Sequence, residues 1–294
     1  DLLQATEYPM TRMTQNYQLL TSLYRENWIV QNIIATIPND IMRKWYTIKS
    51  AVGPDYIDRM TCLEQKTQIR KKLLLGMYWG RLYGGAAGIV LIKGHNDMSQ
   101  PLDLNTVMPD SFLGLQVLDR WSGIFPDGSM VSDPEDPDYG LPEFYTIRDE
   151  ETGSTAVRVH HSRVIRFTGR ELPWMEQIVE QYWGESEIEA VYSEVVKRDN
   201  VSANMAALTF RANINYLESD GLDQLLGSAN TKAQQNFWRL MQAQSVMESN
   251  FGTRIINKGD AMHNTQYTFT GLPDVYDRVM MDVAGAARTP VTKL

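Results

Sequence analysis

Two helical patterns enclosing a compact insert constrain this chain more than any other feature of its sequence. The first begins at Ser186, a good N-cap, with Glu185, Glu187 and Glu189 placed where the helix dipole favours negative charge. Ile188, Val191, Val195, Ala203, Ala206 and Phe210 carry helical spacing to about Arg211. Roughly 26 residues at 1.5 Å each predict a rod of about 40 Å, longer than a typical globular helix. The second pattern opens with Pro273 in its first turn and has Val275, Tyr276, Val279, Met280 and Val283 on one face. Ala284, Gly285, Ala286 and Ala287 close it. Between the two, Asp220-Gly221 marks a break and Thr231–Met247 predicts a further helix with Phe237, Trp238, Leu240 and Met241 on one side. Thr253–Ile256 and Thr265–Thr270 predict a small strand pair. A two-helix stalk carrying a knob of about 60 residues is therefore expected.

Upstream, apolar residues recur from Leu19 to Ile37 at close to a 3.6 period, and Pro38 is expected to stop that helix. Asn39-Asp40 would then cap a short turn through Ile41–Trp45. A longer helix is predicted over Tyr56–Tyr83, ended by Gly84-Gly85, with Gly76 and Gly80 as its weak points. Ala86–Ile92 follows as a strand turned by Lys93-Gly94. Leu115–Leu118, Glu143–Ile147, Ala156–Val159 and Val164–Phe167 read as further short strands. The fold class is thus α+β and mainly helical, without internal repeats.

Composition narrows the function classes. The 294 residues carry 28 Lys and Arg against 36 Asp and Glu, a formal charge of −8. An acidic chain does not grip the phosphate backbone, although DNA can pass an acidic wall. The one compact basic run, Arg70-Lys71-Lys72, reads as a solvated helix face. A single cysteine, Cys62, excludes an internal disulfide and has no Cys or His neighbours for a zinc site. No apolar run approaches bilayer length, so no membrane is expected. Asp1 suggests a start upstream, and no basic-then-apolar leader follows it.

Few residues offer chemistry. The loop Asp133-Pro134-Glu135-Asp136-Pro137-Asp138 lacks the glycine pivot and spacing of a calcium loop, so it reads as exposed and neither metal nor cofactor is expected. Gly84-Gly85-Ala86-Ala87-Gly88 lacks a phosphate-loop lysine and reads as a helix end packed against a strand. The fifteen methionines read as packing or subunit contact, and Trp174, Tyr182 and Trp183 as a local hydrophobic anchor. The histidines are His95, His160, His161 and His263. His160-His161-Ser162 and His263-Asn264-Thr265 form two His-x-Ser/Thr triplets, the pattern of two-histidine phosphodiesterases. Such an enzyme would use His160, Ser162, His263 and Thr265 across one cleft. The segmentation instead puts His160 ahead of a strand in the first domain and His263 in a loop of the knob.

Three stretches resemble a known family. RVIRFTGRELPW at 163–174, followed by EQYWGES at 180–186, resembles the segment before the first stem helix of tailed-bacteriophage portal proteins. TSLYRENWIVQNIIATIPNDIMRKW at 21–45 resembles the family's first helix, and AGAARTPVTKL at 284–294 its turn after the second stem helix. The resemblance covers essentially the whole chain and is to a branch that sometimes carries an anti-CBASS label, a label referring to cyclic-nucleotide cleavage.

The resemblance implies a portal fold with a wing, a two-helix stem and a small α/β clip. It places the wing at 1–185, the first stem helix at 186–211, the clip at 212–271 and the second stem helix at 272–288. Residues 289–294 would start the tunnel loop, and the crown would be absent. Portal proteins form a ring of usually twelve copies at the capsid vertex, so the implied localisation is the virion, and the host cytoplasm during assembly. The implied partners are further copies of the chain, the terminase motor, the head–tail connector or adaptor, and the major capsid protein. Double-stranded DNA would pass through during packaging and ejection without sequence-specific binding. In that arrangement the channel would be lined by Asp274, Asp277, Asp282, Arg288 and Lys293, and Arg239, Gln242, Glu248 and Lys258 would meet the motor or connector at the clip. Such a subunit is no enzyme; the alternatives are the two-histidine cyclic-nucleotide phosphodiesterase and an adaptor without a channel.

Overall fold

A computed structural model describes residues 12–49, 53–147, 157–211, 213–218, 261–266 and 271–294, with helical residues also at 232, 235–240, 242–243 and 246. These residues divide into two compact units, Asp1–Arg198 with Arg278–Leu294, and Asp199–Asp277.

The first unit opens with two helices, α1 (Tyr17–Glu26) and α2 (Trp28–Arg43). Asn27 separates them, its side chain accepting the Ile29 N–H at 3.0 Å and so capping α2. Pro38 does not end the helix as the sequence suggested; it sits buried inside α2, which continues through the expected turn to Arg43. Proline forfeits one i→i−4 bond. Here the apolar stripe Ile29, Val30, Ile33, Ile34, Pro38 and Met42 stays buried on both sides of it, and that burial outweighs the missing bond.

The predicted helix over Tyr56–Tyr83 is two helices, α3 (Pro54–Thr67) and α4 (Ile69–Tyr83). The break falls at Gln68, whose φ of 52° is left-handed, rather than at Gly76 or Gly80. Both glycines remain helical because Phe167 packs onto them. A Cβ on Gly76 would enter the Phe167 ring, and one on Gly80 would lie 2.7 Å from the Phe167 carbonyl oxygen. Gly84, at φ 80°, caps α4 and accepts the N–H groups of Gly169 and Gly184, each at 2.9 Å.

Strand β1 (Gly85–Ile92) lies between β2 (Phe112–Asp119) and β6 (Val164–Thr168) in an antiparallel sheet. Gly88 faces the Leu115 side chain too closely for any Cβ. The glycine-rich stretch is thus a helix end packed into a strand, as expected. A second antiparallel sheet joins β3 (Ile124–Pro126), β4 (Phe144–Ile147) and β5 (Val157–His160). Trp183 is buried with Ala87, Ile124 and Tyr145, whereas Trp174, on the short helix α5 (Trp174–Val179), is exposed. The proposed aromatic anchor therefore divides between core and surface.

Helix α6 (Glu187–Arg211) spans 25 residues, a rod of about 38 Å at 1.5 Å per residue. Strands β7 (Asn213–Glu218) and β8 (Ala261–Gln266) pair antiparallel from Asn213↔Gln266 to Glu218↔Ala261. The expected pair was Thr253–Ile256 with Thr265–Thr270. The first of these segments and residues 267–270 lie outside the described residues, and β8 instead takes the strand that immediately follows α6 as its partner. Helix α7 (Leu272–Ala286) then returns to the first unit. No helix among the described residues is long and apolar enough to cross a membrane.

Candidate functional site

The two long helices are rooted in one core. Ile188, Val191 and Val195 of α6, at helical spacing, join Val283 and Ala284 of α7, Ala287, Leu20 of α1, the Ile29–Ile34 face of α2 and Leu82 of α4. Each such buried aliphatic side chain contributes about 1.5–3 kcal/mol. Beyond these roots the burial stops. No residue of α6 between 196 and 208 is buried, and none of α7 between 272 and 282.

Polar contacts hold the start of α6. Ser186 is fully buried; its hydroxyl donates to the Leu82 carbonyl and accepts the Ile188 N–H at 3.1 Å. One oxygen of Glu189 accepts the Thr14 N–H at 2.8 Å and the Thr14 hydroxyl, while Thr14 Oγ1 accepts the Ser186 N–H at 3.0 Å. Glu187 pairs with Arg81 at 3.3 Å and Arg170 at 3.5 Å. Two carboxylates in the first turn thus meet the helix dipole, as the sequence indicated. Burial, reinforced by neighbouring Glu189, raises the Glu185 carboxyl above the usual glutamate range.

The end of the chain docks on α2. Asn32 Nδ2 donates to the Leu294 carbonyl, Thr36 lies near the Lys293 carbonyl at 3.4 Å, and Leu294 is buried. Lys293 Nζ pairs with Asp40, and that hydrogen bond is the main cause lowering the Asp40 pKa. This clasp is absent from the sequence reading, since its partners are 253 residues apart.

Asp274, Asp277 and Asp282 are all exposed on α7. At 100° per residue Asp274, Asp277 and Arg278 lie away from Val279 and Val283, and Asp282 lies at the edge of that face, 3.9 Å from Arg278. Arg288 is exposed with a left-handed φ of 52°, and Lys293 is exposed but engaged by Asp40. Arg239 and Gln242 are exposed in a helical stretch, while Glu248 and Lys258 lie outside the described residues.

The two histidine triplets fall in different units. His160 ends β5 and lies ahead of β6, as expected, whereas His263 lies on β8 opposite Tyr216, rather than in a loop; Thr265 is on the same strand, opposite Ile214. The His160 ring is buried edge-on against Phe144, and its Nδ1 accepts the Ser162 N–H at 3.2 Å. Ser162 Oγ is 2.9 Å from the same nitrogen and accepts the Leu102 N–H at 2.8 Å. Burial depresses the His160 pKa, with His161 adding to the effect. This triplet satisfies itself as a turn at the end of a strand.

The sequence profile of a family described as "Phage portal protein" matches residues 18–294. The chain belongs to the phage portal protein family. Its portal fold is that of a chain in the virion of a native gene transfer agent particle, which is 14% identical with a TM-score of 0.53, over 98% of this chain and 71% of that one. An uncharacterized protein of Haemophilus influenzae is 26% identical over 283 residues, 96% of this chain and 62% of that protein. A Caulobacter sp. protein named "Anti-CBASS protein Acb1" is 27% identical over 284 residues, 94% of this chain and 44% of that protein. This portal-family chain thus spans less than two thirds of the length of these curated relatives.

Proposed function

We propose that this chain is the ring-forming part of a portal subunit, with a wing at 1–185, stem helices at 186–211 and 272–288, and a clip at 212–271. The observation that carries the reading is the abrupt end of burial along both long helices. A 25-residue helix whose buried residues, among those described, all lie in its first three turns needs lateral partners along the rest. Copies of the same helix supply them when the rotation between subunits closes a ring.

In that ring the exposed face of α7 lines a channel through Asp274, Asp277 and Asp282, with Arg288 and Lys293 near its end. A net formal charge of −8 per copy, repeated around the ring, keeps duplex DNA from adhering as it passes during packaging and ejection. Arg239, Gln242, Glu248 and Lys258 face the terminase motor and later the head–tail connector, and the wing faces the major capsid protein. The subunit works in the virion, at the capsid vertex, after assembly in the host cytoplasm. In this reading it is no enzyme, and the His160–Ser162 contact serves the turn between β5 and β6.

Native mass measurement and top-view particle images of the purified protein test this. The expected result is a closed ring of identical subunits around an open centre. A monomer at micromolar concentration, or an assembly without a central opening, overturns it.

A further inference from the structure

The acidic loop, unremarkable as sequence, gains a third donor from the fold. His161 follows β5 directly, and its backbone N–H donates to the Glu143 carbonyl at 2.8 Å. That bond fixes the imidazole beneath residues 133–138, where it is about nine-tenths buried. His161 Nδ1 lies 3.0 Å from Asp138 Oδ2, and His161 Nε2 lies 3.8 Å from Asp136 Oδ2. One donor atom from each of the three residues lies within 4.8 Å of the others.

The two distances have different meanings. An ionised carboxylate only accepts, so Asp138 takes the proton that His161 carries on Nδ1. With Nδ1 directed at Asp138, Nε2 is the ring nitrogen that faces Asp136 Oδ2. At 3.8 Å the two are beyond hydrogen-bonding reach. Three potential ligand atoms so gathered, one of them on a buried imidazole, leave room for a cation between Nε2 and Asp136. Metal–nitrogen and metal–oxygen bonds of about 2.0–2.2 Å span such a gap at an open angle. A carboxylate orienting the other nitrogen of a ligating histidine is the usual outer support of a zinc site.

We propose that His161 Nε2 and the Asp136 carboxylate bind a divalent transition-metal ion of the zinc class, with Asp138 holding the ring in the ligating tautomer. Water completes the coordination. The ion ties the loop to the end of the second sheet and offsets the negative charge of the carboxylates beside it. This site does not depend on the portal reading of the chain.

Zinc chloride titrated calorimetrically into the chelator-treated full-length chain tests it. One saturable zinc site per chain is expected. Asp136→Asn and His161→Ala should abolish it, and Asp138→Asn should weaken it by about 10–100-fold, the usual cost of removing an outer-shell partner. Asp136→Asn changes a half-buried carboxylate to its isostere, so an unchanged unfolding temperature without metal separates lost ligation from lost folding. Absence of saturable zinc binding to the parent chain overturns the proposal, as does equal affinity in Asp136→Asn.

Discussion

Replacing Gly80 by alanine sets two effects of known sign against each other. In a helix interior alanine is favoured over glycine by about 1 kcal/mol. At this position the new methyl would lie 2.7 Å from the Phe167 carbonyl oxygen and 3.0 Å from that residue's carbonyl carbon and Cβ. The obstructing atoms are two backbone atoms and the Cβ attached to that backbone, held in β6 by pairing of Phe167 with Ala86 of β1, so no rotamer change relieves the contact. Overpacking of this kind costs about 1–3 kcal/mol, and with the helix and sheet both pinned we take the upper part of that range. The net expectation is a loss of about 1–2 kcal/mol. For a unit of roughly 200 residues that lowers the unfolding temperature by about 2–8 °C. Gly285, in α7, is the control: nothing lies within 4 Å of its hypothetical Cβ, so Gly285→Ala should gain about 0.4–1 kcal/mol. Differential scanning calorimetry of the two variants reads both signs. An unfolding temperature raised by Gly80→Ala would refute the claim that α4 needs its glycines for contact with Phe167.

Two further outcomes follow from the same geometry. Ser186→Ala removes a cap and leaves the Leu82 carbonyl and the Ile188 N–H without their partner in a fully buried place, so chemical denaturation should show a loss of about 2–3 kcal/mol; a change below about 0.5 kcal/mol would mean the hydroxyl holds nothing. Changing Asp274, Asp277 and Asp282 together to lysine should turn a non-adhesive surface into one that retains duplex DNA at low salt and releases it as salt rises. Salt-titrated DNA retention by the assembled protein measures this, and retention equal to that of the parent would remove these residues from the channel.

The anti-CBASS name of the Caulobacter relative belongs to a protein of which this chain covers 44%. In this chain the His160 ring, Ser162 and Leu102 close a small hydrogen-bonded network of their own.

Much of the architecture was legible because it depends on local spacing. Ser186 with its flanking glutamates, and the Ile188–Val191–Val195 spacing, announce α6 where it is found. Gly84-Gly85 announces the passage from α4 into β1. The helix breaks were misplaced where a local signal lost to distant packing. Pro38 is carried inside α2 by the buried stripe around it, and Gly76 and Gly80 are held helical by Phe167, some ninety residues away. Asn27, an N-cap before an apolar run, was a readable signal for the true boundary. So was the alternation of Asn213, Ile214, Asn215 and Tyr216 for β7.

By itself, the order of residues determined where rods and strands form, that the chain is acidic, and which family it belongs to, since periodicity, charge and motif order are properties of neighbours along the chain. Only the tertiary structure decided that the roots of α6 and α7 share one core with α2, that Lys293 closes on Asp40, and that His161 rises beneath Asp136 and Asp138. Those meetings join residues tens to hundreds of positions apart, and no local free energy favours them. They exist because burying the apolar faces brings their elements together.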